Sequence, residues 1–488
     1  MEPQKSSHEL VLALISTVGT DTRQLVKDLE DQLRLVNYKT KYISVSTCII
    51  SQFENSNTNN GSEFERITHY MDLGNKIREG AKDNSILMKG VINYIYSCRE
   101  KDSKGRVIPQ NRIAYIIDSI KHPDEIMFMR QIYTDGFYLI GATNAYDDRK
   151  LYLTKQKGIS KDKVLELLNR DMNENRIEGQ HTRDAFQHAD YFINITENNK
   201  KTNNAISRFI DLLFGNPFIT PSFDEYAMFM AYAASLRSAD LSRQIGVVIA
   251  KNNEIISTGA NDCPQFGGGL YWPMQNENGE YEDHHNGRDY KLGYDSNKKE
   301  QLEIIKAILE KLGISFNEEN INKIKSAGIG DLTEYGRVVH GEMEALLSCA
   351  RNNISCRNAT LYATTFPCHN CAKHIIAAGI NKVVYIEPYP KSKALEFYKE
   401  EISENNTDFD QKVIFEHFIG VGPLKFIDLF ALSSTRWYDK KRKGKDGKNT
   451  VWDKEKANLR TTIPLINYID AEKLACLAFE NETKAMKE

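Results

Sequence analysis

The sequence predicts an α/β protein with two main domains, on three observations. The chain has 488 residues, too many for one ordinary domain, and 41% of them are apolar, enough for more than one core. Short apolar strands alternate with helical patterns over residues 1–215, as in a doubly wound parallel sheet with helices on both faces. A new series of strands and helices after Gly215-Asn-Pro217 predicts a second α/β domain over residues 216–435.

The first domain contains strands that are apolar at consecutive positions, the pattern of strands buried on both faces. The predicted strands are Leu10–Ser16, Tyr42–Ser46, Ile113–Ile117, Phe137–Gly141 and Tyr191–Ile195, and helical patterns cover residues 21–35, 62–80 and 83–98. Ligands of such sheets bind beyond the carboxyl ends of the strands. Two polar groups stand at such ends, the loop Gly19-Thr20-Asp21 and Asp118.

The second domain begins with a predicted helix over Ser222–Ser238 and a hairpin around Lys251-Asn-Asn253. Its other predicted elements are the strands Ile245–Ala250, Ile255–Thr258, Thr360–Ala363 and Val383–Ile386, and helices over 298–312, 317–326, 342–351 and 371–378. Residues 262–335 form an insertion whose first part, rich in Gly, Asn, Asp and aromatic residues, predicts a long loop. Residues 436–488 form an extension that opens with seven Lys or Arg residues between Arg436 and Lys448.

The composition of the chain limits the kinds of partner that we expect it to bind and the cellular compartment in which we expect it. A formal net charge of −3 gives no overall field that would draw the chain to nucleic acid or to a membrane surface. The apolar run Leu10–Ile15 is far too short to span a bilayer, so no membrane partner is expected. Eight cysteines in a chain of this length indicate a reducing compartment rather than a disulfide framework, and the expected location is the cytoplasm.

Two short motifs predict a catalytic zinc site. His340-Gly-Glu342 supplies one imidazole and Pro367-Cys368-His-Asn-Cys371 supplies two thiolates, so three protein ligands leave one coordination position for a water. Zinc lowers the pKa of such a water to about 7, and Glu342 can accept its proton and return it to the ring nitrogen and the leaving amine. The order H-x-E…P-C-x-x-C is the signature of zinc nucleobase deaminases.

Other interpretations of the neighbouring residues stay open at the level of sequence. A structural zinc takes four protein ligands, and His369 or His374 could complete such a set beside the C-x-x-C pair. Cys263 and Cys356 could join a histidine in a second zinc site, although buried thiols explain them more simply. Asp283-His-His285 and Arg288 in the insertion could contact phosphate or a metal, or could face solvent.

The pattern around the motifs resembles the deoxycytidylate deaminase family. Residues 238–249, SADLSRQIGVVI, are similar to its S-x-D…R-x-x-G-x-V-I segment, and residues 258–261, TGAN, are similar to its G-x-N element, whose asparagine binds the sugar. The resemblance covers roughly residues 222–425. It implies a cytidine-deaminase-like three-layer α/β/α fold, a Zn²⁺ cofactor, deoxycytidine nucleotides as substrate, and substrate contacts from Asn261 and Arg243.

Two features depart from that family. Glu344 stands where the family often has an asparagine, two residues after the catalytic glutamate. The insertion 262–335 is much longer than the common loop. Both departures bear on substrate choice rather than on the hydrolytic step.

The first domain resembles a P-loop kinase-like domain with an incomplete phosphate loop. Gly19-Thr20-Asp21 lies between a strand and a helix, where G-x-x-x-x-G-K-[ST] would cradle phosphate, and the Lys and the first Gly of that pattern are missing. Asp118 at a strand end resembles an acid on the magnesium side. Two interpretations stay open: the domain could bind a nucleotide, or its doubly wound sheet could be purely structural.

The fusion of such a domain to a deoxycytidylate deaminase domain resembles the bacterial anti-phage dCTP deaminases. This resemblance implies conversion of dCTP and dCMP to dUTP and dUMP during infection, a homo-oligomer, and in some members an inhibitory small RNA. The basic extension, with Trp437 and Tyr438, could contact such an RNA or could be a solvated tail. A housekeeping dCMP deaminase for thymidylate synthesis, an enzyme that edits cytidine in RNA or DNA, and an RNA-binding sensor with an inactive deaminase are the alternatives.

Overall fold

The computed structural model of the chain comprises two compact units. The first consists of Met1–Glu225, Ile386–Tyr389 and His417–Glu488, and the second of Tyr226–Tyr385 and Pro390–Glu416. The structure describes residues 9–54, 61–172, 174, 176–195, 199–387, 393–404, 408–433, 439–461 and 468–485. The division after Glu225 lies ten residues beyond the boundary expected at 215, inside a helix.

The strands, numbered along the chain, form two six-stranded sheets and one two-stranded sheet. The first sheet contains β1 (Leu10–Ser16), β2 (Lys39–Ser44), β3 (Ile113–Asp118), β4 (Phe137–Thr143), β5 (Tyr191–Asn194) and, from late in the chain, β14 (Gly420–Val421). The second contains β6 (Gly246–Lys251), β7 (Glu254–Ala260), β10 (Thr360–Ala363), β11 (Lys382–Tyr385), β12 (Ile402–Ser403) and β13 (Val413–His417). The small sheet pairs β8 (Met274–Gln275) with β9 (Tyr281–Glu282).

The helices are distributed over both units. The first unit holds α1 (Arg23–Leu35), α2 (Glu63–Ala81), α3 (Ile86–Ser97), α4 (Pro123–Tyr133), α5 (Tyr146–Leu151), α6 (Lys161–Met172), α7 (Thr182–Phe186), α8 (Asn199–Leu213), α16 (Phe426–Phe430) and α17 (Tyr468–Ala485). After α9 (Phe223–Ser235) come α10 (Asp289–Leu292), α11 (Ser296–Leu312), α12 (Glu318–Ser326), α13 (Gly341–Arg351), α14 (His369–Ala377) and α15 (Ala394–Phe397). Within the described ranges, none of them is both long and apolar enough to cross a membrane.

The first sheet has the strand order β14-β5-β4-β1-β3-β2. Strands β1 to β5 run parallel, and β14 pairs antiparallel with β5. Every residue of β1 and β4 is buried, which requires packed layers on both faces of the sheet. The predicted parallel sheet is confirmed, and β1 has the predicted bounds. Ser16, Ser44 and Asp118 end neighbouring strands at one carboxyl edge.

Residues 436–488 are predicted above to form a separate basic extension. In the structure, the described parts of this stretch belong to the first unit. Helix α17 packs against α3 and buries Ala475 and Phe479, and the Phe479 ring meets Phe53 edge-on at 6.3 Å. An amphipathic helix is more stable with its apolar side chains buried than as a solvated tail. Arg436, Trp437 and Tyr438 lie outside the described residues.

The second sheet has the order β12-β13-β11-β10-β6-β7 and mixes parallel and antiparallel pairs. Strands β6 and β7 form the predicted hairpin, whose turn residues Asn252 and Asn253 both have positive φ, as a tight hairpin turn requires. Strand β10 pairs antiparallel with β6 and parallel with β11. The insertion is more regular than predicted, because β8, β9 and α10 interrupt the expected loop.

Candidate active site

Two helices begin at the predicted metal ligands. His340 is the N-cap residue of α13, whose first turn carries Glu342, and Cys368 is the N-cap residue of α14, whose first turn carries Cys371. The Cys368 sulfur accepts a hydrogen bond from the backbone N–H of Cys371 at 3.4 Å. The positive ends of two helix dipoles therefore lie at the site, where they favour thiolate and carboxylate charge.

The three side chains come together with the spacing that a metal ion needs. Nδ1 of His340 lies 3.4 Å from Sγ of Cys368 and 3.4 Å from Sγ of Cys371, and all three atoms lie within 4.8 Å of one another. A tetrahedral zinc with Zn–S of about 2.3 Å and Zn–N of about 2.0 Å would separate nitrogen from sulfur by about 3.5 Å. One imidazole and two thiols at this spacing therefore fit zinc. Among the described residues, this is the one group of His, Cys, Asp or Glu side chains so placed.

The pKa values of these three side chains are shifted in different directions. The hydrogen bond with Cys368 raises the pKa of His340 to about 9. Hydrogen bonds, first with Cys371 and then with His340, lower the pKa of Cys368 to about 4 despite its burial. The Cys368 hydrogen bond and burial raise the pKa of Cys371. A metal must displace protons from His340 and Cys371, so the affinity for it rises with pH.

Glu342 lies beside the ligand atoms without being one of them. Its side chain is buried, with 3% of the residue exposed, and its Oε2 lies 3.5 Å from the Cys371 sulfur. Burial raises the pKa of this carboxyl. Glu344, the other acid of the same helical turn, forms an ion pair with Arg351 instead. Glu342 is thus the carboxylate of this turn that lies at the ligand atoms.

Gly259 of β7 allows α13 to approach the sheet. A Cβ atom on Gly259 would lie 2.2 Å from the carbonyl oxygen of Gly341 and 2.6 Å from the backbone nitrogen of Ala345. No side chain fits in that space, so only glycine permits this contact. The contact fixes the first turn of α13, and with it His340 and Glu342.

Asn261, predicted to contact the substrate, holds a loop of the protein in place. It is 5% exposed; its Oδ1 accepts a hydrogen bond from Ile245 N–H at 2.7 Å, and its Nδ2 donates to the Arg243 carbonyl at 2.8 Å. The same loop carries Asp240, whose charge contributes to the raised pKa of His340. The structure therefore joins Asn261 to Arg243 and brings their loop next to the metal ligands.

The alternative ligands are engaged elsewhere. His374 bonds to a backbone carbonyl of its own helix at 2.7 Å, and the His369 ring packs against Phe397 at 5.8 Å. Cys263 lies 3.5 Å from a carboxylate oxygen, and burial raises the pKa of its thiol to about 12. Cys356 lies 3.8 Å from a backbone carbonyl. Neither a fourth protein ligand nor a second metal group is assembled within the described residues.

The polar cluster of the insertion forms an internal network. Asp283 pairs with Arg288 at 3.4 Å, and Arg288 also donates to the Tyr271 carbonyl at 2.5 Å. The His284 ring lies over Tyr271, with 5.4 Å between ring centroids. These contacts pair Asp283, His284 and Arg288 with groups of the insertion itself.

The loop after β1, predicted to resemble a phosphate loop, is bound to a carboxylate of the same chain. Gly19 has φ of +87°, a conformation that favours glycine. The Val18 N–H donates to Oδ2 of the buried Asp171 at 2.9 Å, and the Lys121 ammonium pairs with Oδ1 of Asp171 at 2.8 Å. Thr20 bonds to a neighbouring hydroxyl at 2.7 Å, and Asp21 pairs with an exposed arginine at 2.5 Å. Sequence reasoning missed Asp171, because it lies 153 residues from Val18 in a helix with no recognisable motif.

Comparison with known proteins places the site in a family. Residues 221–387 match the family model of the cytidine and deoxycytidylate deaminase zinc-binding region. The deoxycytidylate deaminase of Enterobacteria phage T4 is 32% identical over 166 residues, covering 34% of this chain and 77% of the phage protein. That of Saccharomyces cerevisiae is 26% identical over 178 residues, covering 36% of this chain and 40% of the yeast protein. Among solved structures, dCMP deaminase from the cyanophage S-TIM5 is similar over 41% of this chain and 100% of its own, with 18% identity and a TM-score of 0.23.

The ligand set and the matched region together define a zinc-binding deaminase of the cytidine type. The cofactor that this region implies is Zn²⁺, and the three ligand atoms fit it. The chain belongs to the deoxycytidylate deaminase family.

Proposed function

We propose that the chain hydrolyses the exocyclic amine of deoxycytidine nucleotides and converts dCMP and dCTP to dUMP and dUTP. The observation that supports this most directly is the group of His340, Cys368 and Cys371 beside the buried Glu342, in a member of the deoxycytidylate deaminase family. In this proposal the first three side chains hold zinc. Glu342 is the catalytic residue that carries protons.

Glu342 would move two protons in the reaction. When bound, zinc supplies a Lewis acid that lowers the pKa of a water to about 7. As water adds to C4 of the cytosine ring, the Glu342 carboxylate accepts its proton and donates it to ring atom N3. Glu342 then takes the proton of the new C4 hydroxyl and delivers it to the amine. The bond between C4 and the amine breaks, so cytosine and water become uracil and ammonia.

The buried position of Glu342 supports this role. A carboxylate that must hold a proton during part of a reaction needs a pKa above its ordinary value. Burial raises the pKa of Glu342. Glu344 forms an ion pair with Arg351 and does not share the position of Glu342 at the ligand atoms. A substitution of Glu344 is therefore a control for the same substitution of Glu342.

Substrate contacts are proposed for Asn261 and Arg243. Beyond its two backbone bonds, the Asn261 amide retains one N–H and one lone pair that a sugar hydroxyl could use. Arg243 is the cation of the loop that Asn261 holds, and its guanidinium suits an anionic substrate. We therefore assign the sugar to Asn261 and the phosphate end to Arg243.

The finer part of the proposal is that dCTP is a substrate and that its depletion defends a bacterium against phage. It rests on the resemblance to fused anti-phage deaminases and on the first unit, which a housekeeping dCMP deaminase would not need. The loop of Gly19, Thr20 and Asp21 adds support for a first unit that does not transfer phosphate, because the Val18 N–H beside it donates to Asp171. An inhibitory small RNA, a nucleotide at the first unit and a homo-oligomer belong to the same proposal.

A substrate panel tests the activity. The purified zinc-loaded chain is incubated with dCMP, dCTP, CMP, CTP and cytosine-containing oligonucleotides, and uracil products are measured. Deamination of both deoxynucleotides is expected. Reaction with dCMP alone would favour a housekeeping enzyme, and reaction with oligonucleotides alone an editing enzyme. No product from dCMP or dCTP would refute the proposal.

A phage challenge tests the defence role. Cells expressing the wild type should resist infection and lose dCTP, whereas cells expressing Glu342→Gln should not. Equal plaque counts for the two would contradict the role. Expression with and without the neighbouring noncoding DNA tests the RNA, since an RNA inhibitor predicts nucleotide depletion only when that DNA is left out.

A further inference from the structure

The insertion of the second unit begins and ends at a narrow neck. Asp262 and Val339 face each other there as an isolated antiparallel bridge. The Val339 N–H donates to the Asp262 carbonyl at 2.9 Å, and the Asp262 N–H donates to the Val339 carbonyl at 3.2 Å. Val339 directly precedes His340 in the sequence. The neck therefore lies one residue from a proposed ligand of the metal.

Arg337 fixes the chain where it enters the neck. Its Nη1 pairs with Oδ1 of Asp289 at 3.0 Å. Its Nη2 donates to the carbonyl oxygens of Asn286, at 3.0 Å, and Gly287, at 2.8 Å. A planar guanidinium with three partners has little freedom to rotate. Arg337 therefore ties the segment before His340 to a segment that lies 48 residues earlier in the chain.

Asp289 and its neighbour Arg288 also contact the opposite strand of the neck. The Cys263 thiol donates to Oδ1 of Asp289 at 3.5 Å, and Arg288 pairs with the Asp262 carboxylate at 3.5 Å. Arg288 and Asp289 are each 6% exposed, and Asp262 is 1% exposed, so solvent screens these charges little. The Asp289 carboxylate thus joins Arg337 on one strand to Cys263 on the other and closes the neck.

The position of the His340 imidazole depends on how the chain enters α13. His340 is the N-cap residue and has an extended backbone, with φ of −67° and ψ of 149°, so it lies outside the regular helix. The contact between Gly259 and Gly341 fixes the helix that follows it, and the neck fixes the segment that precedes it. A functional side chain keeps its geometry only when the residues around it hold it within about 0.5 Å.

We propose that Arg337 is a positioning residue, which holds the His340 imidazole at the distance from the two thiols that zinc requires through its ion pair with Asp289. The proposal rests on the ligand set of the proposed function and adds to it a residue outside the ligand group. All of the contacts that support it lie within the second unit. It gives the neck of the insertion a role in the metal site.

Cobalt substitution of the full chain tests the proposal. Co²⁺ occupies zinc sites, and its absorption spectrum reports coordination geometry and thiolate ligands. In Arg337→Ala the affinity for Co²⁺, measured by competition with a chelator, should fall by about 10- to 100-fold, as it does when a metal ligand loses its supporting contacts. The visible bands should also shift or lose intensity. Asp289→Asn weakens the same ion pair from the other side and should change the spectrum in the same way.

Arg351→Ala is the matched control. Arg351 pairs with Glu344, its side chain is 35% exposed like that of Arg337, and the partner carboxylates of the two arginines are 8% and 7% exposed. Arg351 ends α13, at the opposite end of the helix from His340. Both arginine variants should therefore lose similar stability in thermal unfolding, whereas only Arg337→Ala should change the affinity for Co²⁺ and its spectrum.

The possible failures of this test have different meanings. A wild-type affinity and spectrum in Arg337→Ala would refute this inference and leave the ligand set intact. An equal fall in affinity in Arg351→Ala would also refute it, because lost stability alone would then explain the effect. A wild-type protein whose cobalt spectrum lacks thiolate absorption would refute the ligand set of the proposed function, and this inference with it.

Discussion

Gly259 and Gly341 meet where β7 crosses the start of α13, and a Cβ on Gly259 would lie 2.2 Å from the Gly341 carbonyl oxygen. Gly341 separates His340 from Glu342 in the sequence. This single backbone contact therefore positions His340 and Glu342 together.

Gly259→Ala should disturb both stability and activity. The added methyl group forces the strand and the helix apart, which should lower the free energy of unfolding by about 1–3 kcal/mol or more, together with zinc content and kcat. Urea denaturation and metal analysis measure the two effects. Gly336→Ala is the control, since its nearest neighbouring atom would lie 3.4 Å away, an ordinary contact. A Gly259→Ala protein as stable as wild type would disprove the close approach.

Glu342→Gln should retain zinc and lose catalysis. The amide has nearly the same shape but cannot accept the proton, so kcat should fall by about 10²- to 10⁴-fold. Glu344→Gln makes the same change in the same helical turn, at a carboxylate paired with Arg351, and should keep most of its kcat while losing some stability. Zinc analysis and product formation are measured for both. Similar kcat values for the two variants would contradict the assignment of Glu342.

Removal of zinc should abolish activity reversibly. A strong chelator should inactivate the enzyme, and added Zn²⁺ should restore it. Cys371→Ala should bind far less zinc, because two ligands cannot form a stable site. Cys356→Ala is the control, as its thiol lies near a backbone carbonyl and outside the ligand group. Equal zinc contents for the two variants would show that the metal lies elsewhere.

A buried charge network should make stability depend on pH. In the first unit, Arg99 pairs with two carboxylates, Glu9 and Glu472, and the Tyr468 hydroxyl donates to Glu9 at 2.7 Å. All three charged side chains are fully buried. Burial raises the pKa of Glu472 from 4.5 to about 7, and Arg99 offsets only part of that effect. The folded state therefore holds a proton on Glu472 that the unfolded chain releases.

A raised folded-state pKa gives stability that is complete below pH 4.5 and disappears as the pH rises through about 7. The difference between these pKa values corresponds to about 3 kcal/mol. The free energy of unfolding of the wild type should thus fall between pH 5 and pH 8 relative to that of Glu472→Gln, which has no proton to lose. Urea denaturation across this range measures both proteins. Parallel pH profiles would exclude this role of Glu472.

The sequence by itself determined which residues form the ligand group of the second unit. His340 and Glu342 lie in one motif and Cys368 and Cys371 in another, because ligands at the first turn of a helix are close in the chain as well as in space. Strand β1 and the β6–β7 hairpin were predictable for the same reason. Their apolar runs and turn residues act over a few positions.

Only the tertiary structure decided which distant surfaces meet. Asp171 reaches Val18 across 153 residues, and Lys89 in α3 reaches Glu482 in α17 across 393. Chain folding likewise turned Asn261 inward onto its own loop. Burial and hydrogen-bond pairing depend on which surfaces pack together, and no local pattern of residues encodes that packing.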